Sequence, residues 1–293
     1  MRLVVLLALL STPLIAFPGA SNVFKYQDES GNWVFTDKPP TDAEFELIEI
    51  ESQEQYQIRP RLYTEKVEGK TAIFVQNPLF APIELLVKSE DGTVSFQGVI
   101  DAQSAKRVST LQGRERYRYK WALGSPAAKH TSPSYGFPVA QKGKYPISQG
   151  ANGRFSHFQE PNVHAVDVVM AVGTEIVAAR AGTVISVKDD YHMSGQNGYF
   201  LDKANYVSVL HDDGTYATYA HTLMGSARVQ PGDAVDLGQV LAQSGSSGFS
   251  TGPHLHFVIR KNAGMRTVSV PFAVTTDAGQ QVPLRRGIVV TNP

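Results

Sequence analysis

The stretch Gly252-Pro253-His254-Leu255-His256-Phe257-Val258-Ile259 decides the reading of this chain. Its β-branched and aromatic residues read as a strand. Residues two apart on a strand share a face, so His254 and His256 project together while Leu255 turns to the other side. A Gly/Ser-rich loop, residues 244–252, leads into it. One histidine there would read as a satisfied polar residue. Two on one face behind such a loop point to metal binding or catalysis.

Working outward, Tyr216-Ala217-Thr218-Tyr219-Ala220-His221 is an alternating strand that ends on a histidine. Strand ends are where a rigid scaffold presents reactive groups. Further upstream stand Phe155-Ser156-His157 and Val163-His164-Ala165-Val166-Asp167-Val168-Val169-Met170. Asp167 lies inside an apolar stretch, and an isolated buried carboxylate is very costly, so it needs a hydrogen-bond partner or a cation. Zinc takes imidazole nitrogen and carboxylate oxygen at roughly 2.0–2.2 Å, and catalytic zinc sites use three protein ligands. The other histidines have no comparable pattern. His130 lies in a connecting loop, His192 in a polar insertion (191–198), and His211 before Asp212-Asp213-Gly214, a tight hairpin turn.

Seven of the eight histidines follow residue 136, so the chemistry belongs to the last part of the chain. Before it, Thr71-Ala72-Ile73-Phe74-Val75, Ile83-Glu84-Leu85-Leu86-Val87, Val94-Ser95-Phe96 and Tyr117-Arg118-Tyr119-Lys120-Trp121 alternate with turn-rich stretches. That spacing predicts an immunoglobulin-like β-sandwich over 59–124. The basic run 114–120 reads as one charged strand face. Residues 41–58, polar and acidic, read as a linker. Two short alternating segments around Asp28-Glu29-Ser30-Gly31-Asn32 predict a hairpin with Phe24, Trp33 and Phe35 as its mini-core. Met1-Arg2 and the apolar run that follows, with small residues at Ala16 and Ala20, have the three parts of a secretory signal peptide. No later segment is apolar enough to cross a membrane. The 27 basic and 27 acidic residues balance, which argues against nucleic acid as a partner. With no cysteine, stability rests on buried cores or a metal rather than disulfides, and a lipid anchor on cysteine is excluded.

The three histidine-bearing elements, taken with Gly173-Thr174-Glu175-Ile176-Val177-Ala178-Ala179-Arg180-Ala181-Gly182-Thr183-Val184, Gln230-Pro231-Gly232-Asp233 and Leu237-Gly238-Gln239, resemble the LytM/lysostaphin-type zinc endopeptidases, which hydrolyse peptidoglycan. The hairpin unit resembles a small domain of unknown function at the N-terminus of exported Gram-negative proteins. The chain is then mainly β: signal peptide 1–20, small N-terminal domain and linker 21–58, sandwich-like domain 59–124, antiparallel β-sheet peptidase domain 136–275 and a tail 276–293. The resemblance implies Zn2+ held by Asp167 and His256, with His221 and His254 as catalytic histidines. For the first ligand two candidates stand. The commonest pattern puts it four residues before the aspartate, where this chain has Val163. His157 fits a variant with an insertion; His164 is the alternative, disfavoured if 163–167 is a strand, since it would then face away from Asp167. No His-Glu-x-x-His helix motif occurs, so base duty falls on His221 and His254. The implied substrate is the peptide stems of peptidoglycan, and the implied compartment is the Gram-negative periplasm. An inactive peptidoglycan-binding or activating relative, and a zinc amidase, are the alternatives.

Overall fold

The computed structural model describes residues 20–27, 33–36, 41, 44–51, 58–111, 116–131, 134–276, 279, 281–282 and 284–292. The expected signal peptide falls outside them except for Ala20, as do the side chains of Phe24, Trp33 and Phe35. Two units divide the chain, residues 1–56 and 57–293. In the first, β1 (Ala20–Gln27) pairs antiparallel with β2 (Trp33–Thr36), and β3 (Glu46–Glu51) pairs with the other edge of β1. The acidic stretch expected as a linker therefore contributes a strand. Its Leu47-Ile48-Glu49-Ile50-Glu51 alternation carries the period of two despite the acidic composition.

The second unit opens with β4 (Arg61–Val67), β5 (Lys70–Asn77), β6 (Ile83–Ser89), β7 (Val94–Ile100), β8 (Ser104–Leu111) and β9 (Tyr117–Leu123). They form two three-stranded sheets, β4-β5-β8 and β7-β6-β9. Alternate residues from both sheets, including Ile73, Val75, Ile83, Leu85, Val87 and Ile100, make one buried cluster. Tyr117 and Trp121 pack against it, while Arg118 and Lys120 between them are exposed, so the part of the basic run that lies in β9 is the solvated side of an edge strand.

The remaining strands are β10 (Ser134–Gly136), β11 (Gly143–Gln149), β12 (Val166–Val169), β13 (Glu175–Val177), β14 (Gly182–Lys188), β15 (Ser194–Gly195), β16 (Tyr206–Leu210), β17 (Tyr216–Ala220), β18 (Ala234–Val235), β19 (Val240–Gln243), β20 (Gly248–Phe249), β21 (His254–Asn262), β22 (Thr267–Ser269), β23 (Ala273–Thr275), β24 (Gln281–Val282) and β25 (Val289–Asn292). Nine of them form one sheet in the order β18-β14-β16-β17-β21-β12-β11-β25, with β22 pairing β21. Every pairing in this sheet is antiparallel. The stretch expected as a tail supplies its edge strand. Val290 and Asn292 of β25 are buried, and Asn292 Nδ2 donates to the Val139 carbonyl at 3.1 Å.

The two faces of this sheet differ. On one, Leu255, Phe257 and Ile259 of β21 meet Ala217, Tyr219, Val166, Val168 and Leu241 in the main core, all nearly or fully buried. Each such Leu, Ile or Phe is worth about 1.5–3 kcal/mol by burial. The other face holds His254, His256 and their neighbours. Glu84 ties the sandwich to the large sheet: its carboxylate, buried on β6, accepts from Asn262 Nδ2 at 2.9 Å and Met265 N at 2.6 Å. Those two hydrogen bonds, with a third from Gln97, outweigh the desolvation that burial imposes and lower the carboxyl's pKa.

Candidate metal centre and its groove

Strand register assembles the site. Asp167 on β12 stands directly opposite His256 on β21, and His256 stands opposite Ala220 on β17. His221 follows Ala220. It turns out of the strand with φ +66°, a left-handed conformation that a β-carbon disfavours. Its backbone N–H donates to Asn205 O at 2.9 Å, and its carbonyl accepts from Gly245 N at 3.0 Å, which pins the turn. His157 arrives from the turn-rich segment 150–165 and is fully buried.

Three ligand atoms converge. His256 Nδ1 is 2.9 Å from Asp167 Oδ1, His157 Nε2 is 3.2 Å from the same oxygen, and the two imidazole nitrogens are 3.2 Å apart. A tetrahedral ion with bonds of roughly 2.0–2.1 Å has ligand–ligand edges of about 3.3 Å. His157 Nδ1 lies 3.0 Å from the Gly150 carbonyl, which can only accept, so Nδ1 carries the proton and Nε2 offers its lone pair inward. A lone pair facing a carboxylate oxygen is repulsive unless a cation or proton sits between them. Among the described residues these are the three whose ligand atoms all lie within 4.8 Å of one another. The set fits a metal ion.

His221 and His254 face the same place from the other side. His221 Nδ1 donates to Ser247 O at 2.6 Å and His254 Nδ1 to Gly252 O at 2.8 Å, so each has Nε2 left for chemistry. His254 Nε2 is 3.8 Å from Asp167 Oδ1, and the rings of His221 and His254 are 4.5 Å apart. Burial would raise the Asp167 carboxyl, but hydrogen bonds and charge from His157 and His256 outweigh it and hold the group well below the usual carboxylate range. Burial, then the neighbouring His254 and His256, pushes His221 down to about 3. Burial also lowers His256, against the pull of Asp167. On balance His221 and His256 are shifted toward the neutral imidazole and Asp167 toward the ionised carboxylate, the protonation states a metal site uses.

His164 is not among the converging groups. Its backbone N–H donates to Ser269 Oγ at 3.1 Å, and the strand begins at Val166, so 163–165 is turn and not the strand assumed for the parity argument. His130 and His211 flank Tyr135, at ring distances of 6.1 and 5.6 Å, and His211 bonds the Ala181 carbonyl. His192 lies against Tyr191.

Three supporting residues escaped the sequence reading. Gln149 on β11 donates from Nε2 to Asp167 Oδ2 at 2.9 Å and to Ser156 Oγ at 2.7 Å. Its Oε1 accepts from the backbone N–H groups of Phe155 and Ser156. One side chain therefore orients the carboxylate and clamps the turn that carries His157. Buried Asn205 and Ser247 hold the other side: Asn205 N donates to Ser247 Oγ at 3.0 Å, and Ser247 Oγ to Thr222 O at 2.9 Å. The loop 244–252 owes its small residues to this packing. A β-carbon on Gly245 would meet the Leu223 backbone at 2.8 Å, and one on Gly248 (φ +81°) the Ala204 backbone nitrogen at 2.5 Å. Around the centre runs an open groove of about 1740 Å³, bordered by Phe155, Phe158, Phe249, Leu201 and Arg260.

Residues 162–268 match the family model for peptidase family M23. The chain carries an M23 peptidase domain. The matched span includes Asp167, His221, His254 and His256, and begins five residues after His157. Three relatives illustrate the likeness. Glycyl-glycine endopeptidase ALE-1 of Staphylococcus capitis is 32% identical over 139 residues, covering 47% of this chain and 33% of its own. Lysostaphin of Staphylococcus simulans is 32% identical over 116 residues, 39% of this chain and 20% of its own. Peptidoglycan DD-endopeptidase ShyC of Vibrio cholerae is 36% identical over 133 residues, 43% and 28% respectively. The chain spans a third or less of each of these relatives.

Proposed function

We propose that this protein is a zinc-dependent endopeptidase that hydrolyses peptide cross-links of bacterial peptidoglycan. The observation that carries the reading is the convergence of His157 Nε2, Asp167 Oδ1 and His256 Nδ1, at 2.9–3.2 Å from one another, beside two further histidines in an open groove. In this reading His157, Asp167 and His256 hold the ion, and Gln149 fixes the carboxylate. A zinc ion bound there supplies Lewis acidity to the scissile carbonyl and activates a water as nucleophile. Burial keeps His221 neutral, and both His221 and His254 have Nδ1 committed to carbonyls. Either would take at Nε2 the proton released by the attacking water, face the oxyanion with the N–H so formed, and pass that proton to the departing amine. Two of the relatives named above are endopeptidases by name, a glycyl-glycine endopeptidase and a peptidoglycan DD-endopeptidase, and the resemblance to Gram-negative members favours cleavage between D-alanine and diaminopimelate over glycine bridges. The N-terminal apolar run and the hairpin unit support export to a Gram-negative periplasm.

The test is to incubate residues 21–293 with purified cross-linked sacculi and identify the released fragments by mass, beside His256→Ala and His221→Ala. The reading expects cross-linked dimers to disappear with the wild type only, zinc to be lost in His256→Ala and kept in His221→Ala. Zinc bound with nothing cut would favour a binding or activating role. Stem peptides released whole from the sugar would favour an amidase. Neither zinc nor cleavage would overturn the proposal.

A further inference from the structure

Along β21, His254, His256, Val258 and Arg260 share the groove face, because Leu255, Phe257 and Ile259 between them fill the core. Arg260 is part-buried in the groove lining, four residues beyond His256. Its guanidinium makes two hydrogen bonds, both to neutral acceptors: Nε to Pro161 O at 3.1 Å and one terminal nitrogen to Asn162 Oδ1 at 2.5 Å. The neighbouring carboxylate, Glu160, acts on it only through space, without a direct ion pair. Glu160 turns its Oε2 to Ser269, accepting from N at 2.7 Å and Oγ at 2.8 Å, and among the described residues no carboxylate lies within ion-pair distance of Arg260. Tyr216 and Tyr206, neighbours on this face, bring hydroxyls rather than carboxylates. A guanidinium carries five donors in a fork that matches a carboxylate, and a withdrawn charge without a counter-ion is destabilising. The sheet therefore maintains in the groove a cation that, among the described residues, has no carboxylate in direct contact.

We propose that Arg260 is a substrate-binding residue that receives a free carboxylate of the peptide. This rests on the reading that the groove takes a peptide. Four residues of strand span roughly 13 Å, so the carboxylate belongs about two to four residues from the scissile bond. Arg260 thereby sets a preference for stems with a free carboxyl group over amidated ones. The 161–162 loop fixes the fork, so the site is organised before the substrate arrives.

The test uses two cross-linked peptide dimers, identical except that one has its stem carboxyl groups amidated, with zinc-loaded protein. The wild type is expected to favour the free acid by roughly ten-fold or more in KM, the effect of one charge-assisted hydrogen-bonded pair, with little change in kcat. Arg260→Gln should bring that ratio near one while zinc content stays the same. Arg260→Lys should keep part of it. A purely structural role for Arg260 would alter cleavage of both dimers alike. Should Arg260→Gln fail to fold, the ratio in the wild type and in Arg260→Lys still decides. Binding of the uncut monomeric stems by calorimetry gives the same comparison without cleavage, so a failure of the peptidase reading is seen separately. Equal affinity of the wild type for free and amidated stems would overturn the proposal, as would a preference that survives in Arg260→Gln.

Discussion

In the sandwich, two three-stranded sheets turn their apolar faces on each other, and the outward side carries Arg118 and Lys120 into water. In the nine-stranded sheet one face does the same work, with Leu255, Phe257 and Ile259 in the core. Its second face instead withdraws a carboxylate and several imidazoles from solvent while leaving a groove open beside them. Both regions are antiparallel β-structure with residues alternating across the sheet. The difference lies in what meets the second face. Apart from Glu84, which meets the large sheet, the charges of the sandwich such as Arg118 and Lys120 face water, so they cost little and do little. In the large sheet the turn 150–158 and the loop 244–252 roof it, so each polar group must find a partner, and the partners found are one another. Sandwich substitutions should therefore move stability alone, and groove-face substitutions should move chemistry more than stability.

The largest expected effect is on the groove face. His221→Ala removes a proton acceptor without touching the three converging ligand atoms, so kcat on sacculi or dimers should fall by roughly 10²–10⁴-fold with bound zinc unchanged. A variant that also lost its zinc would place His221 among the ligands. The sandwich counterpart is Leu85→Ala, which opens a cavity at a fully buried position and should cost about 2–5 kcal/mol in denaturant unfolding. Zinc content and kcat of its folded fraction should stay at wild-type values. A catalytic defect there would break the division between the two regions.

Gln149→Ala probes the border between packing and chemistry. Loss of its bond to Asp167 Oδ2 should weaken zinc affinity by about 10–100-fold, measured by competition with a chelator. Unchanged affinity would reduce Gln149 to a clamp on the turn. The smallest effect is the pH dependence of chelated protein. Folding depresses His221 to about 3 and lowers His256, so the folded state binds fewer protons than the unfolded chain at intermediate pH. Their contribution is present above the unfolded value of roughly 6.5 and is lost as pH falls toward the folded values, at up to about 1.4 kcal/mol per unit for each group. Thermal unfolding should therefore move to lower temperature between pH 7 and 4, and less steeply in His221→Ala. A melting temperature that rises on acidification would contradict the burial of neutral imidazoles.

Much of this was legible in the chain because β-structure repeats every two residues. His254 and His256 on one face, Leu255 on the other, Asp167 inside an apolar strand and His221 at a strand end all follow from that period. The hairpin at 211–215 was equally plain from Asp212-Asp213-Gly214, with Gly214 at φ +81°. What stayed hidden depends on contacts distant in sequence. Gln149 looks like any polar residue beside a glycine until β11 is laid against β12. Asn205 and Ser247 are 42 residues apart, and neither belongs to a periodic run. The loop 244–252 stood out as Gly/Ser-rich, but only the fold shows that the glycines at 245 and 248 make room for the protein's own backbone. The strands at Glu46–Glu51 and Val289–Asn292 are short, and their pattern was outweighed by acidic composition in one case and by nearness to the chain end in the other. The pairing of His157 with Asp167 was a choice between two histidines that local spacing alone left open.

That choice is also the most direct test of the account. Bound zinc should be counted per chain for the wild type, His157→Ala and His164→Ala, after gel filtration at neutral pH. The account predicts one zinc in the wild type and in His164→Ala, and none in His157→Ala. Zinc retained in His157→Ala and lost in His164→Ala would contradict the geometry on which the proposed metal centre rests.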